Sequence, residues 1–422
     1  MNASASLSLH PAIPASAHLG PLKDMAQEVV RASAYLEGRI APETARALGE
    51  KLRYLNSYYS NLIEGHKTLL PEIEQALLKQ FATDDSQRYA QELCAAHVRV
   101  EREFMAALDE NPPENICDFD YLAAIHRRFY EYLPERHRYT HHSGGFTDVH
   151  AYPGRVRDAN VSVDQGRTRH GPDAVELPEK LAEFAALYNP ACFHGDEKLI
   201  AAAAAHHRLT WLHPFRDGNG RVARLFIGFY LAAINVNQSN LWSINRAFSR
   251  NKNWYMINLQ SADSPDQTGQ GFDQEIFADF CAFFLESCLD QIAFMEQILD
   301  FARVDARIDD YVLERDKDRG AENPLDPRSA RLLKALFVRG KISRGEAGAV
   351  MKMDTYSDRQ VRRVVSQLVE EGLVVSDSHR APLRIGFPMK VLRHYFPALF
   401  DPTVMGDQYL LSGEEANRPG SG

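Results

Sequence analysis

The chain has 422 residues, long enough for two or three domains with ordinary cores. Its 45% hydrophobic and 25% charged residues describe a soluble globular protein, and a net charge of −9 argues against a whole-chain binder of nucleic acid. Five cysteines (Cys94, Cys117, Cys192, Cys281 and Cys288) make no CxxC pair and no even disulfide set, so they read as free thiols in a reducing cytoplasm, and the longest apolar run, Leu199 to Ala205, is far too short for a membrane span.

The first twenty residues, MNASASLSLHPAIPASAHLG, lack a basic start and hold two prolines. No secretory signal is expected there; a disordered leader over 1–20 is. Apolar residues then recur with helical spacing, and strand signals are scarce. Helices are predicted at about 22–38, 42–64, 71–80, 85–108, 118–132, 175–188, 196–212, 219–234 and 242–261, followed by a long one at about 273–315. Residues 142–173 interrupt this pattern. They are rich in Gly, Asp and Ser with short β-prone pieces, and read as a loop holding a β-hairpin. DKDRGAENPLDP, 316–327, is charged, carries two prolines and reads as an inter-domain linker. From Asp326 to Phe400 there are 14 Lys and Arg against 7 Asp and Glu, so this piece carries +7 and the rest of the chain −16. Within it, PRSARLLKALFVRG, KISRGEAGAVMKM and SDRQVRRVVSQLVEEG read as three short helices, Ser357 capping the third, and VVSDSHRAPLRIGF as two strands around a polar turn. The tail, 401–422, reads as disordered.

One stretch between two predicted helices, HPFRDGNGRVAR at 213–224, does not suit helix formation. Each glycine there costs about 1 kcal/mol against alanine in a helix interior. Glycine lets the backbone come close to a ligand with its N–H groups pointing one way, and the following helix adds unpaired N–H groups and the positive end of its dipole. That is an anion site, with phosphate the usual guest. Arg221 and Arg224, three apart, can clamp separate phosphates of a polyphosphate. Asp217 beside phosphates needs a bridging Mg2+, and His213 stands where a general base near neutral pH could act. Phe215 is expected in the core.

The stretch resembles the signature of the Fic (filamentation induced by cAMP) family, His-x-Phe-x-(Asp/Glu)-Gly-Asn-Gly-Arg-x-x-Arg, at His213, Phe215, Asp217, Gly218, Asn219, Gly220, Arg221 and Arg224. The resemblance implies an all-α fold with a small β-hairpin flap, and transfer of AMP from ATP to a Ser, Thr or Tyr hydroxyl of a target protein or of the chain itself. It implies that His213 deprotonates that hydroxyl and that Asp217 holds Mg2+ against the α- and β-phosphates. Gly218 to Gly220 would form the anion hole, with Asn219 on the α-phosphate, Arg221 on the β-phosphate and Arg224 on the γ-phosphate. Gly220, where Doc-like members carry Lys, favours adenylylation over phosphorylation of a target. The family's segment beside the adenine is similar to SRNKNWYMINL, 249–259, which makes Asn251 and Tyr255 candidates. Its flap, which docks the target, would fall at about 153–163. His206 and His207 read as packed histidines, and no HxxxH or HExxH pattern suggests a transition metal.

Upstream, SYYSNLIEGHK at 57–67 resembles the family's inhibitory pattern, (Ser/Thr)-x-x-x-Glu-(Gly/Asn), at Ser60, Glu64 and Gly65. Ser60 and Glu64 share a helix face, and Gly65 suits a C-cap. The resemblance implies that Glu64 pairs with Arg224 in the γ-phosphate's place. The domains implied are a leader (1–20), N-terminal helices (21–110) with the inhibitory helix at about 55–65, a Fic catalytic domain (111–315), the linker, and a winged helix-turn-helix (328–400). The last exposes Arg359, Arg362 and Arg363 on its third helix; DNA, a protein surface or a second copy of the chain are the partners left open for it. The leading expectation is a self-inhibited protein adenylyltransferase. Removal of AMP at the same site, or a DNA-binding regulator that senses nucleotide, are the alternatives.

Overall fold

A computed structural model describes residues 7–140, 149–160, 171–317, 324–353 and 355–400. The order of elements is α1 (Ser16–Gly38), α2 (Pro42–Ile63), α3 (Leu70–Leu77), α4 (Asp85–Glu110), α5 (Phe119–Glu131), β1 (Tyr139–Thr140), β2 (Val149–His150), α6 (Leu177–Tyr188), α7 (Glu197–Leu212) and α8 (Asn219–Ala233). There follow α9 (Ile244–Arg250), α10 (Lys252–Ser261), α11 (Gln274–Ile298), α12 (Phe301–Lys317), α13 (Ser329–Arg339), β3 (Lys341–Ile342), α14 (Ala347–Val350), α15 (Asp358–Glu370), β4 (Val374–Val375), β5 (Leu383–Ile385) and α16 (Met389–Tyr395). Two compact units result. One gathers the residues up to 33 with 53–238 and 243–291, the other 34–52, 239–242 and 292 onward.

The first unit is built around α7. Every residue from Leu199 to Leu209 is buried, so this helix has no solvent face and lies inside the unit. Its five alanines, Ala201 to Ala205, keep it thin enough for α6 and α8 to pack closely against it. The apolar run of α8 fills the space next to it: Phe226, Phe229 and Tyr230 are fully buried, each contributing about 1.5–3 kcal/mol by leaving water. Helix α4 covers α3, α5 and α8, with Phe104 stacked on Phe229 at 5.5 Å.

Three expectations about this unit are corrected. Residues 7–20 are not a loose leader: Leu9 is fully buried, its N–H donates to Glu183 at 2.9 Å, and α1 already begins at Ser16. The helix expected over 242–261 breaks at Asn251, whose backbone leaves the helical region (φ −129°, ψ 54°) and starts α10. The helix expected over 273–315 breaks after Ile298, because Asp300 caps α12 by accepting from the Arg303 N–H at 3.0 Å.

The second unit holds α12 to α16 and a three-stranded antiparallel sheet of order β3–β5–β4, in register Lys341↔Arg384 and Val374↔Ile385. Helix α12 belongs here rather than with the preceding helices. Val304, Ile308, Tyr311 and Val312 bury one of its faces, it packs on α13 and α16, and Arg315 near its end bonds Glu371 at 2.8 Å. The domain boundary thus precedes the expected linker, whose residues 318–323 lie outside the described ones, as do 1–6 and the tail 401–422. Among the described residues no helix is long and apolar enough to cross a membrane.

Candidate active site

The break between α7 and α8 carries the site. Helix α7 ends because His213 turns left-handed (φ 48°, ψ 58°) and Pro214 follows, which has no N–H with which to continue the helix. A non-glycine residue in that region costs about 1–2 kcal/mol. Arg157 holds the turn in place. Its backbone N–H donates to the Pro214 carbonyl at 2.8 Å, and its guanidinium donates to the carbonyls of His213 (2.8 Å), Pro172 (2.6 Å) and Ala159 (3.2 Å). Arg157 is 2% exposed, so these bonds are made out of water.

Beyond the turn, Phe215 is fully buried and the His126 ring stacks on it at 4.0 Å. Asn219 closes the loop. Its side-chain oxygen accepts from the Phe215 N–H and its amide donates to the Phe215 carbonyl, both at 2.8 Å. Its side chain thus pins the loop. The Gly154 N–H donates to His126 Nδ1 at 2.8 Å, which leaves Nε2 to donate to the Asp217 carbonyl at 3.0 Å. The Tyr130 hydroxyl donates to Asp217 Oδ2 at 2.5 Å. Gly218 lies against Tyr130 with φ 78°, where a Cβ would come within 3.0 Å of the hydroxyl. From there α8 starts, with its first N–H groups free of intrahelical partners.

The charges around this loop are set by burial and by each other. Burial first, then Arg157, pushes the His213 imidazole down to about 4, so it is neutral near pH 7 and able to accept a proton. Arg221 is 6% exposed, lies 5.6 Å from the Phe129 ring, and has a buried Nε with no hydrogen-bond partner among the described residues. Burial opposes its charge, but Asp217, Tyr130 and Glu64 outweigh it and raise its pKa. Arg224 is 3% exposed and fully engaged: Nε donates to the Ser60 hydroxyl at 3.0 Å, and Nη2 to the Ser60 carbonyl at 3.0 Å and to Glu64 Oε1 at 2.5 Å. Burial pushes the Glu64 carboxyl up, yet the Arg224 and Arg221 guanidiniums win and hold it at about 2.

Glu64 reaches Arg224 because α2 stops there. Gly65 adopts φ 89° after the helix, its N–H bonding Leu62 and the His66 N–H bonding Asn61, a paired closure that needs a residue at ease with positive φ. Gly220 makes the approach complete. It is helical, so its freedom of φ is not used; a Cβ there would sit 2.5 Å from Glu64 Oε1 and 3.0 Å from Arg224 Nη1.

Tyr255 is 2% exposed, stacked on Phe248 at 4.2 Å with its hydroxyl 3.0 Å from His206 Nε2, and it lies next to Arg224. Asn251 is exposed at the α9–α10 junction. His206 and His207 are buried and bonded within the core, as expected of packed histidines. The hairpin pairs Tyr139 with His150 and Thr140 with Val149, upstream of the 153–163 segment expected to be the flap. Residues 153–160 contain no strand, and 161–163 lie outside the described residues. His126, Tyr130 and Arg157 were missed. His126 and Tyr130 stand four apart in FDYLAAIHRRFYE, one helix face, which was the available signal. Arg157 lies in a loop and gave none.

The donor set fits Mg2+. Among the described residues no three metal-ligating side chains cluster, and Asp217 is a lone carboxylate next to an anion site with one oxygen on Tyr130. Mg2+ is commonly held in this way, by one carboxylate plus substrate phosphates.

Comparison with known proteins agrees with this geometry. The model of the Fic/DOC family matches residues 116–231. A protein adenylyltransferase Fic of Nematostella vectensis is 36% identical over 89 residues, which is 19% of this chain and 19% of the relative, so the chain covers less than a fifth of that relative's length. A solved Fic family protein from Desulfovibrio desulfuricans G20 has the same fold, with a TM-score of 0.50 at 18% identity over 90% of this chain and 99% of its own. A Fic domain containing signaling protein from Bacteroides thetaiotaomicron VPI-5482 gives 0.48 at 17%, over 64% and 95%. Residues 116–231 are a Fic/DOC family domain, and the turn between α7 and α8 lies within it.

Proposed function

We propose that the chain is a protein adenylyltransferase that resists its own activity through Glu64. The observation that carries this reading is the capture of Arg224 by Ser60 and Glu64, 160 residues upstream, beside an Arg221 whose Nε has no partner. In the reaction, neutral His213 takes the proton of a Ser, Thr or Tyr hydroxyl. The oxygen attacks the α-phosphorus of ATP, the new O–P bond forms, and the bond from that phosphorus to the α–β bridging oxygen breaks. Pyrophosphate leaves and AMP stays on the protein. General-base help of this kind contributes about 10²–10⁴-fold. The α8 N–H groups and Arg221 oppose the charge that builds on the phosphates. Mg2+ held by Asp217 and the phosphates would further neutralise the leaving pyrophosphate.

Glu64 blocks this by offering Arg224 a carboxylate where a γ-phosphate would otherwise pair with it. ATP then binds without that clamp and is poorly aligned. Mg2+ and labelled ATP, given to wild type, Glu64→Gly and His213→Ala, test the reading, with the modified residue mapped by mass spectrometry. Glu64→Gly is expected to raise incorporation at least ~10-fold, and His213→Ala to lower it ~10²-fold or more. Equal incorporation by Glu64→Gly and wild type would remove the inhibitory role, and absence of label in all three would remove the transferase. The reverse reaction has one observation in its favour: the Glu64 side chain is ionised and one-third exposed (33%), able to orient a water. Loss of AMP from a pre-labelled protein with wild type, but not with Glu64→Gly, would reveal it.

A further inference from the structure

The second unit carries a surface that the transferase does not use. Helix α15 is amphipathic with a sharp division. Val364, Val365 and Leu368 are buried on one face, while Arg359, Arg362, Arg363 and Ser366 are exposed on the other, at the i, i+3, i+4, i+7 spacing of a single stripe. A reciprocal cap fixes its start, the Ser357 hydroxyl accepting from the Gln360 N–H and the Gln360 side chain from the Ser357 N–H. The acids Asp358 and Glu370 stand at its two ends. Lys352 is exposed in the turn before it, and His379 and Arg380 are exposed in the turn between β4 and β5.

Much of the unit's remaining positive charge is already spent. Lys334 pairs with Asp305 and Asp309, Lys341 with Glu43, Arg315 with Glu371, Arg328 with Asp326, and Arg384 with Asp377. By contrast, Arg359, Arg363 and Arg380 have no ion pair among the described residues, and Arg362 meets Asp358 only at 3.7 Å with both side chains in water. Of the 14 cations in the +7 segment 326–400, these four are left to solvent along α15 and the β4–β5 turn, in a chain of net −9.

We propose that this unit docks duplex DNA through the exposed face of α15, with Arg359, Arg362 and Arg363 on phosphates or base edges of the major groove and Arg380 on the flanking backbone. The arrangement of elements supports it. The chain order is α13, β3, α14, α15, β4, β5, and α15 packs on β4, so the helix and the β4–β5 strand pair lie together as in winged helices. An α-helix fits the B-form major groove, about 12 Å wide, while the A-form groove of RNA is too narrow for it. Three cations in one stripe match a row of phosphates better than the scattered acids of a protein surface.

The test is fluorescence anisotropy of the full chain with a labelled DNA duplex of about two helical turns, in KCl from about 50 to 200 mM. Four arginines on phosphates predict that log K falls against log salt with a slope of about −3 to −4. Replacing Arg359, Arg362 and Arg363 together by Gln should take away about three of that slope and weaken low-salt binding ~100-fold or more. Arg380→Gln alone should remove about one. These residues are exposed, so the triple variant should keep the wild-type melting temperature and the wild-type AMP incorporation, which separates lost docking from lost fold. No salt-sensitive binding, or a triple variant that binds as wild type does, overturns the proposal. Equal affinity for an A-form RNA duplex overturns groove insertion. Poly-glutamate binding as tight as DNA reassigns the face to an acidic protein.

Discussion

Two sets of arginines, one in each unit, are used in opposite ways. In the first, Arg157, Arg208, Arg221, Arg224 and Arg246 are all at most 6% exposed. In the second, Arg359, Arg362, Arg363 and Arg380 stand in water. A buried guanidinium needs acceptors or ring faces around it, because removing it from water is costly. Arg157 finds carbonyls, Arg224 a serine and a carboxylate, and Arg208 the rings of Phe272 and Phe277 at 3.4 and 3.8 Å. The first unit therefore holds its buried cations with partners fixed inside the fold. The second leaves these four cations in water.

The largest effect expected from that difference is on acid stability. The first unit buries His97, His126, His206 and His213, and burial is the first cause in each: it holds His126 and His213 down to about 4, His97 and His206 to about 3. In the unfolded chain these rings protonate below about 6.5. Between 6.5 and about 4 the unfolded state binds protons that the folded state refuses, so stability falls as pH drops, by about 1.4 kcal/mol per pH unit for each proton. Glu64 extends the loss from 4.5 toward 2, because its stabilising charge is present above 4.5 and is titrated away below it. The second unit's described histidines, His379 and His394, are exposed. Hydrogen exchange at pH 7, 5.5 and 4.5 should show peptides of α4, α5, α7 and α8 losing protection before those of α13, α15 and α16. The reverse order would break the comparison.

Arg157 comes next. Replacing it by Met leaves several buried carbonyls without a donor, at about 1–3 kcal/mol for each group that water cannot reach, so a loss of about 3 kcal/mol is expected in a denaturant melt. The left-handed turn at His213 would also lose its tie, and displacement of the base by even about 1 Å costs ~100-fold in incorporation. Unchanged stability with unchanged activity would show that these bonds only fill space.

What could be read beforehand follows from the same distinction. The loop at 213–224 was legible because its residue types conflict with helix formation, and the chain does break there between α7 and α8. Ser60, Glu64 and Gly65 were legible as a helix end, and the fold brings that end to Arg224. Arg157 was not, because its importance comes from where four carbonyls happen to face, which no local pattern records. Tyr255 is buried, and the sequence alone does not say whether an aromatic at that place lines a pocket or packs a core. The breaks at Asn251 and Asp300 sit in continuous apolar periodicity; at Asp300 a single capping side chain outweighs the repeat, while at Asn251 the backbone leaves the helical region with no side-chain cap. The leader was misjudged on its composition, because one buried side chain, Leu9, together with its backbone bond to Glu183 was enough to hold it.

The smallest stability change, and the most informative about inhibition, belongs to Gly220→Ala. In a helix the alanine gains about 1 kcal/mol over glycine. Its Cβ would stand 2.5 Å from Glu64 Oε1, which is the far end of a flexible side chain and can swing away. That costs the ion pair with Arg224, whose side chain is 2% exposed and loses its carboxylate out of water, so the loss is about 3 kcal/mol. The net loss of about 2 kcal/mol should lower the melting temperature less than Arg157→Met does. Incorporation should rise all the same, to between the levels of wild type and Glu64→Gly, because Arg224 is released for the γ-phosphate. If Gly220→Ala instead falls below wild type, and the double variant Glu64→Gly/Gly220→Ala falls with it, the bare position serves the nucleotide and not the inhibitor. The helix would then have kept its glycine for the phosphates, and Glu64 would merely occupy the space they leave.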